Sequence, residues 1–366
     1  MHSRNLDIYR NKVVLLTGNT GFKGSWLSVW LRELGAKVIG FSLEPPSNPS
    51  NFHASFLRDK ITHVHGDVRD ASALEEVFRT YEPEIVVHMA AQAIVRTSYD
   101  DPKQTFDTNV GGTVNVLESV RNAPRVKVFL NITSDKCYEN REWVWAYREN
   151  DAMGGHDPYS ASKGCAELVF SSYLRSFFSS GERNIGMASV RAGNVIGGGD
   201  WAKDRLIPDC VRALKDGKPI PIRNPQSVRP WQHVLEPLSG YLALGALLWQ
   251  DPGKYSGAWN FGPNGTEDLS VQEIMERFIR FWGRGTWQDL STGDAPHEAL
   301  TLRLSCDKAR TFLKWQSVLS MEECLEMTAN WYKRFYAHEE DMYPFCAEQI
   351  LMYTHKAREQ GLPWAQ

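Results

Sequence analysis

Tyr159 and Lys163 stand four residues apart in Tyr159-Ser160-Ala161-Ser162-Lys163. On a helix that spacing puts both side chains on one face. A free phenol titrates near about 10 and is a poor base at neutral pH. An ammonium beside it favours the phenolate and is expected to lower that value. A second constellation is the turn Thr17-Gly18-Asn19-Thr20-Gly21-Phe22-Lys23-Gly24. Gly18 permits a tight turn, Gly21 lets a backbone approach a pyrophosphate, and Gly24 lets a helix pack close to a sheet. A third is Ser134-Asp135-Lys136, a hydroxyl, an acid and a cation in succession.

These residues need a scaffold, and the surrounding pattern supplies one. Val13 to Leu16 reads as a strand, Ser25 to Leu34 as a helix with Trp26, Leu27, Trp30 and Leu34 at helical spacing, and Lys37 to Phe41 as a second strand. The glycine turn therefore opens a βαβ unit, where a helix N-terminus offers free N–H groups to phosphates. That context points to a dinucleotide. The alternation continues. Thr62 to His65 reads as a strand, and Ser72 opens a capping box with Glu75 for a helix to Tyr81. Ile85 to Met89 is a buried strand, Asn109 to Val120 a helix and Val126 to Ile132 a strand ending at Thr133. Ser160 to Phe178 is a long helix and Ile185 to Arg191 a further strand. Repeated alternation of this kind predicts an α/β fold, a Rossmann-type doubly wound parallel sheet. It also puts Ser134, Asp135 and Lys136 just after a central strand, at the edge where such sheets bind ligands.

The cofactor reading favours NAD over NADP. NAD sites place an acid on the ribose after the second strand. Here Ser42 takes that place, Glu44 follows, and neither Arg nor Lys follows the strand to receive a 2′-phosphate. Lys23 is expected to be a solvated first-turn residue. Asp67 suits either the adenine amino group or a local turn.

The chain has 366 residues, 41 Lys and Arg against 44 Asp and Glu, and a formal charge of -3. That balance argues against nucleic acid or an anionic membrane as partner. No apolar run approaches the roughly 18 residues that span a bilayer. The six cysteines show no metal-clip spacing, which fits free thiols in the cytoplasm. His63 and His65 alternate on a strand, so no metal site is expected. After Gly193 the pattern changes, with Gly197-Gly198-Gly199 and a proline-rich stretch to Pro230. Leu238 to Leu248 returns to helix and Ala258 to Phe261 to strand. The expected division is a nucleotide-binding domain over 1–193, rejoined by 232–265. A smaller, mainly helical lobe would take 194–231 and 266–366.

Together, the glycine turn, Ser134 and the Tyr159–Lys163 pair resemble the extended short-chain dehydrogenase/reductase family over roughly residues 12–265. His88-Met89-Ala90-Ala91 and Thr108-Asn109-Val110 resemble two further family segments. Arg229-Pro230-Trp231-Gln232-His233-Val234 resembles a third, with Pro230 where an acid is usual. The resemblance implies Tyr159 as base, Lys163 as its tuner and Ser134 as holder of the substrate hydroxyl. It implies a cofactor site from Gly18, Thr20, Gly21, Phe22, Lys23, Gly24, Ser42, Asp67, Val68, Ala90, Ala91, Gln92 and Asn109, besides Tyr159 and Lys163. Asn194, Arg205 and Arg229 would meet the sugar nucleotide, Arg229 with the better support.

Within the family, nucleotide-sugar 4,6-dehydratases carry Thr-Asp-Glu after this strand, whereas 4-epimerases lack the acid–base pair. Here Lys136 replaces the glutamate, a departure shared by the branch that acts on CDP-glucose, as is the Gly18–Leu27 opening. This implies a lyase that removes water from CDP-glucose on retained NAD, with Asp135 as acid and Lys136 as C5 base or enolate stabiliser. Another nucleotide-sugar dehydratase or a UDP-sugar 4-epimerase is the alternative. A silent NAD- or sugar-nucleotide-binding relative would be expected to have lost the Tyr159–Lys163 pair. The resemblance further implies a homodimer or homotetramer through 109–120 and 160–178. It also implies a role in 3,6-dideoxyhexose supply for lipopolysaccharide O-antigen.

Overall fold

The structure, a computed structural model, describes residues 6–179, 183–263, 269–291, 302–338 and 340–366. Its first half runs β1 (Val13–Thr17), α1 (Phe22–Glu33), β2 (Lys37–Ser42), β3 (Thr62–His65), α2 (Ala71–Tyr81), β4 (Ile85–His88), α3 (Gly112–Asn122), β5 (Val128–Ile132) and α4 (Pro158–Tyr173). Its second half runs β6 (Gly186–Ala192), α5 (Leu206–Lys215), β7 (Ile220–Ile222), α6 (Leu235–Gln250), β8 (Gly257–Phe261), α7 (Val271–Trp282), β9 (Trp287–Asp289), α8 (Met321–Ala337) and α9 (Tyr343–Glu359).

Seven strands form one parallel sheet in the order β8-β6-β5-β4-β1-β2-β3. Every residue of β4, β5 and β6 is buried, as apolar runs such as Val128-Phe129-Leu130 require when helices cover both faces. One core, from Leu16, Trp26 and Val87 through Leu238, lies on one face; a second, from Leu15, Phe41, Val86 and Phe129, lies on the other. The strand order reverses between β1 and β4, whose ends Thr17 and His88 are in register. A crevice opens there, and this is where such sheets hold ligands.

The structure departs from the sequence expectations at several ends. The N-cap of α2 is Asp70, whose carboxylate accepts from Ala73 N at 3.0 Å, so Ser72 lies inside the first turn and forms no capping box. A carboxylate complements the positive end of the helix better than a hydroxyl one turn in. The segment expected as one helix from Asn109 begins as a π-turn, Asp107–Gly111, before α3. The long helix likewise ends at Tyr173 and continues as a π-turn to Phe178.

The C-terminal region is not helix alone. Trp287–Asp289 pairs in parallel with Ile220–Ile222, and three-residue strands are too short to show a period. The expected boundary at 265/266 lies outside the described residues. True capping boxes do occur at the starts of α7 (Ser270, Glu273) and α8 (Ser320, Glu323). α9 packs on α1, with Trp30 edge-on to Tyr353 at 5.8 Å and to Trp364 at 6.1 Å. Among the described residues no helix is long and apolar enough to cross a membrane.

Candidate active site

The glycine turn has the shape its residue types imply. Gly18 adopts φ +76°, and a Cβ there would meet Ala90 N at 2.7 Å. A Cβ on Gly24 would meet the Gly18 carbonyl oxygen at 2.1 Å, so turn and helix are pressed together. Gly21 is different: its nearest neighbour to an added Cβ is 3.4 Å away. As N-cap of α1 it provides no side-chain cap, which leaves the first N–H groups free for an anion. Phe22 begins the helix. This cradle fits a pyrophosphate.

Beyond the turn, Ser42 is buried and donates to Asn19 Oδ1 at 2.8 Å, with Thr20 Oγ1 at 3.0 Å. Thr20 itself donates to the Leu43 carbonyl. Asn19 fills the space over Gly40 and contacts His63 Nδ1 at 3.2 Å. Glu44 is engaged by Arg58, and the same hydrogen bond and charge hold its carboxyl below the usual range. Asp67 is bound by Arg69 through both side chain and backbone, which likewise lowers its carboxyl. The buried Val68 packs beneath Gly112.

The segment after β4 is held from two sides. Thr17 Oγ1 contacts His88 Nδ1 at 2.8 Å and accepts from Met89 N and Ala90 N. His88 is buried and, with its pKa pushed down to about 3 by burial, neutral. Past Ala91, Gln92 N donates to Asn109 Oδ1 at 2.8 Å, and Asn109 Nδ2 donates to Ser162 Oγ on α4. The cofactor-side residues and the catalytic helix thus share one network.

At the end of β5, Ser134 caps a short turn, Asp135–Cys137, and donates to Asp135 Oδ1 at 2.9 Å. It also hydrogen-bonds the Tyr159 side chain. Asp135 is 4% exposed, and burial raises its carboxyl against the opposing pull of Lys136, Ser134 and Lys23. Burial therefore favours the protonated acid. Gly193 lies over it: a Cβ there would stand 3.2 Å from Asp135 Oδ2. Asn194, next in the chain, accepts from Gln232 N through its carbonyl. Arg229 is half-buried two residues before Trp231 and donates to the Val228 carbonyl.

Two expectations are corrected here. First, the Tyr159 phenol is not lowered: burial pushes it up to about 12, and the Ser134 hydrogen bond and Arg205 offset only part of that. A phenolate loses more by leaving water than these neighbours return. Second, Lys23 is not a solvated residue. It is half-buried and feels Arg205, Asp135 and Lys163; burial and Arg205 bring it down to about 8. Lys163 is buried as well, and its ammonium is disfavoured, down to about 8, although Glu167 opposes the shift. Arg205 pairs with Asp200 at 2.8 Å and acts on both Lys23 and Tyr159. Lys136, by contrast, is exposed.

The site also contains residues that motif reading passed over. Glu167 lies one turn beyond Lys163 and pairs with Arg191 of β6 at 2.7 Å, both being about fully buried. Its signal in the sequence was the continued four-residue spacing, Tyr159, Lys163, Glu167. Nothing local marked Arg191 as its partner.

The chain belongs to the NAD dependent epimerase/dehydratase family, whose description matches residues 14–252. It is 49% identical over 337 residues to the CDP-glucose 4,6-dehydratase of Salmonella typhimurium, covering 91% of this chain and 94% of that protein. It is 28% identical to the CDP-paratose 2-epimerase of Salmonella typhi, over 72% of this chain and 82% of that one. Among solved structures it superposes on the dTDP-glucose 4,6-dehydratase of Streptomyces venezuelae with NAD and TYD bound. The TM-score is 0.74 at 25% identity, over 88% of this chain and 98% of that one.

Proposed function

We propose that this chain is a CDP-glucose 4,6-dehydratase, forming CDP-4-keto-6-deoxy-glucose and water. The observation that carries the reading is a buried, protonation-prone Asp135 in hydrogen-bonded succession with Ser134 and Tyr159. The 49% identity to the Salmonella typhimurium enzyme supports the choice of sugar nucleotide.

Gly18, Gly21, Gly24 and the N-terminus of α1 would hold NAD, which would supply hydride acceptance at C4 and hydride return at C6. Tyr159, with Ser134 holding the C4 hydroxyl, takes the hydroxyl proton. Lys163 would favour the phenolate against the burial that opposes it, as would a bound nicotinamide cation. The C4 ketone acidifies C5, and Lys136 takes the C5 proton as an enolate forms. The ammonium so formed stabilises this charge. Asp135 gives its proton to the C6 hydroxyl as the C6–O bond breaks, and water departs. The proton that Tyr159 takes balances the one that Asp135 gives, and Lys136 returns the C5 proton when C6 regains hydride.

Residues 194–231 and 266–366 are assigned to the sugar-nucleotide side, with Asn194, Arg205 and Arg229 meeting sugar and diphosphate. The cofactor side is assigned to 1–193 and 232–265. Leu168 and Phe177, exposed along α4 and the π-turn after it, suit a homodimer face that a tetramer would retain. We assign the enzyme to the cytoplasm and its product to 3,6-dideoxyhexose supply for O-antigen.

The test is mass spectrometry of products after incubation with NAD and, separately, CDP-, dTDP-, UDP- and GDP-glucose. Loss of one water from CDP-glucose alone is expected. Loss from another sugar nucleotide would keep the chemistry and sink the cytidine assignment. No change of mass with any of them would leave an epimerase. Tyr159→Phe is expected to lower kcat about a thousandfold.

A further inference from the structure

We propose that the buried chain Glu167–Arg191–Tyr138–Asn260 is a positioning device for the water-elimination step, acting through the turn that carries Asp135 and Lys136. The inference rests on the dehydratase reading above.

Tyr138 follows the Asp135–Cys137 turn directly, and its N–H closes that turn on the Asp135 carbonyl. Its ring is 1% exposed and is gripped on every polar edge. Arg191 Nη1 donates to its hydroxyl at 2.6 Å, and the guanidinium lies 4.9 Å from its ring centre. The hydroxyl in turn donates to Asn260 Oδ1 at 2.8 Å. Asn260 is itself fixed, donating from Nδ2 to the Tyr147 carbonyl at 2.9 Å. Tyr147 stacks on the Tyr138 ring at 5.2 Å.

At the other end, Arg191 is held by Glu167. Glu167 also accepts from Ser189 at 2.6 Å and from Thr133, the residue before Ser134. The chain therefore runs from β8 through β6 to the catalytic helix.

These ties divide the site. Tyr159, Lys163 and Ser134, which serve oxidation at C4, sit on α4 and just after β5. Asp135 and Lys136, which serve elimination, lie in a short turn whose distal anchor is Tyr138. A turn of this length has little stiffness of its own. Proton donation to a leaving group is steep in geometry, and a displacement of about 1 Å can cost about a hundredfold. Loosening Tyr138 should slow elimination while leaving oxidation intact.

The experiment compares full-length wild type, Tyr138→Phe and Asn260→Ser during turnover of CDP-glucose with NAD. Product mass and the near-ultraviolet absorbance of reduced nicotinamide are followed together, per folded molecule. Ser239→Ala, which removes buried hydrogen bonds to Tyr353 and Trp315 and touches no member of the chain, serves as a purely structural control. Tyr138→Phe is expected to lower kcat about tenfold with KM unchanged. Reduced nicotinamide should build up in it, because C4 is still oxidised while elimination lags. Asn260→Ser cuts the same tie from its other end, must reproduce the build-up, and carries the test if Tyr138→Phe does not fold. Ser239→Ala should lose stability without build-up. Water loss by wild type with no build-up in either tie variant, or equal build-up in the control, overturns the inference. Absence of water loss by wild type overturns the dehydratase reading instead.

Discussion

Two buried glutamates on different helices have pKa values shifted in opposite directions. Glu167 lies on α4, one turn beyond Lys163, and is 4% exposed; Glu236 lies in the first turn of α6 beneath the C-terminal helices and is 2% exposed. Both are well hydrogen-bonded. Glu236 accepts from Val318 N, Leu319 N and the Tyr353 hydroxyl, at 2.7 to 3.0 Å. Burial nevertheless pushes its pKa up to about 7. Glu167 suffers the same burial, but the Arg191 guanidinium and the hydroxyls of Ser189 and Thr133 more than reverse it, and its carboxyl falls below the ordinary value. Neutral donors soften the loss of hydration, whereas a full charge at contact distance overcomes it. Asp135 falls on the Glu236 side of this divide, with cations near but none as close a partner as Arg191. A general acid needs that side.

Cutting the ion pair should give the largest effect. Arg191→Met leaves Glu167 charged and alone and should cost about 3–5 kcal/mol in urea unfolding. A loss under about 1 kcal/mol would mean that Glu167 is not held as an anion.

Glu236→Gln should come next and depends on pH. A native pKa raised above its unfolded value means that the folded protein binds more protons in between. Its stability contribution is therefore present below about 4.5 and is lost as pH rises towards about 7. The amide is spared this loss. The stability gap between variant and wild type should open across that window and level off near about 3 kcal/mol above it. A gap independent of pH would break the comparison.

Replacing both partners, Glu167→Leu with Arg191→Met, should recover about 2 kcal/mol of the single-variant loss while elimination stays slow, since Tyr138 is still untied. The smallest effect is expected at the exposed Glu76–Arg79 pair. Glu76→Gln should leave the urea midpoint within replicate scatter.

The elements nearest the site were legible because their signals are local. Val13–Thr17, the glycines at 18, 21 and 24, and the Tyr159–Lys163 spacing each declare themselves within a turn or a strand. The cap of α2 was misread because Asp70 and Ser72 both suit a cap, and only the backbone decides which residue stands at the end. The pairing of Ile220–Ile222 with Trp287–Asp289 was hidden because three residues carry no period and the partner lies far along the chain.

What the sequence determined by itself was the order of the main strands and helices, the glycine cradle that opens α1 and the spacing of Tyr159 and Lys163 on one helix. Spacing of residue types along a short stretch is sufficient for each of these. What only the tertiary structure decided was charge and environment. Lys23 looked solvated and proved half-buried beside Asp135; Lys136 proved exposed; Glu167 found Arg191. A protonation state depends on who is within a few ångströms and how much water is left. Both are properties of segments that meet in space from distant parts of the chain.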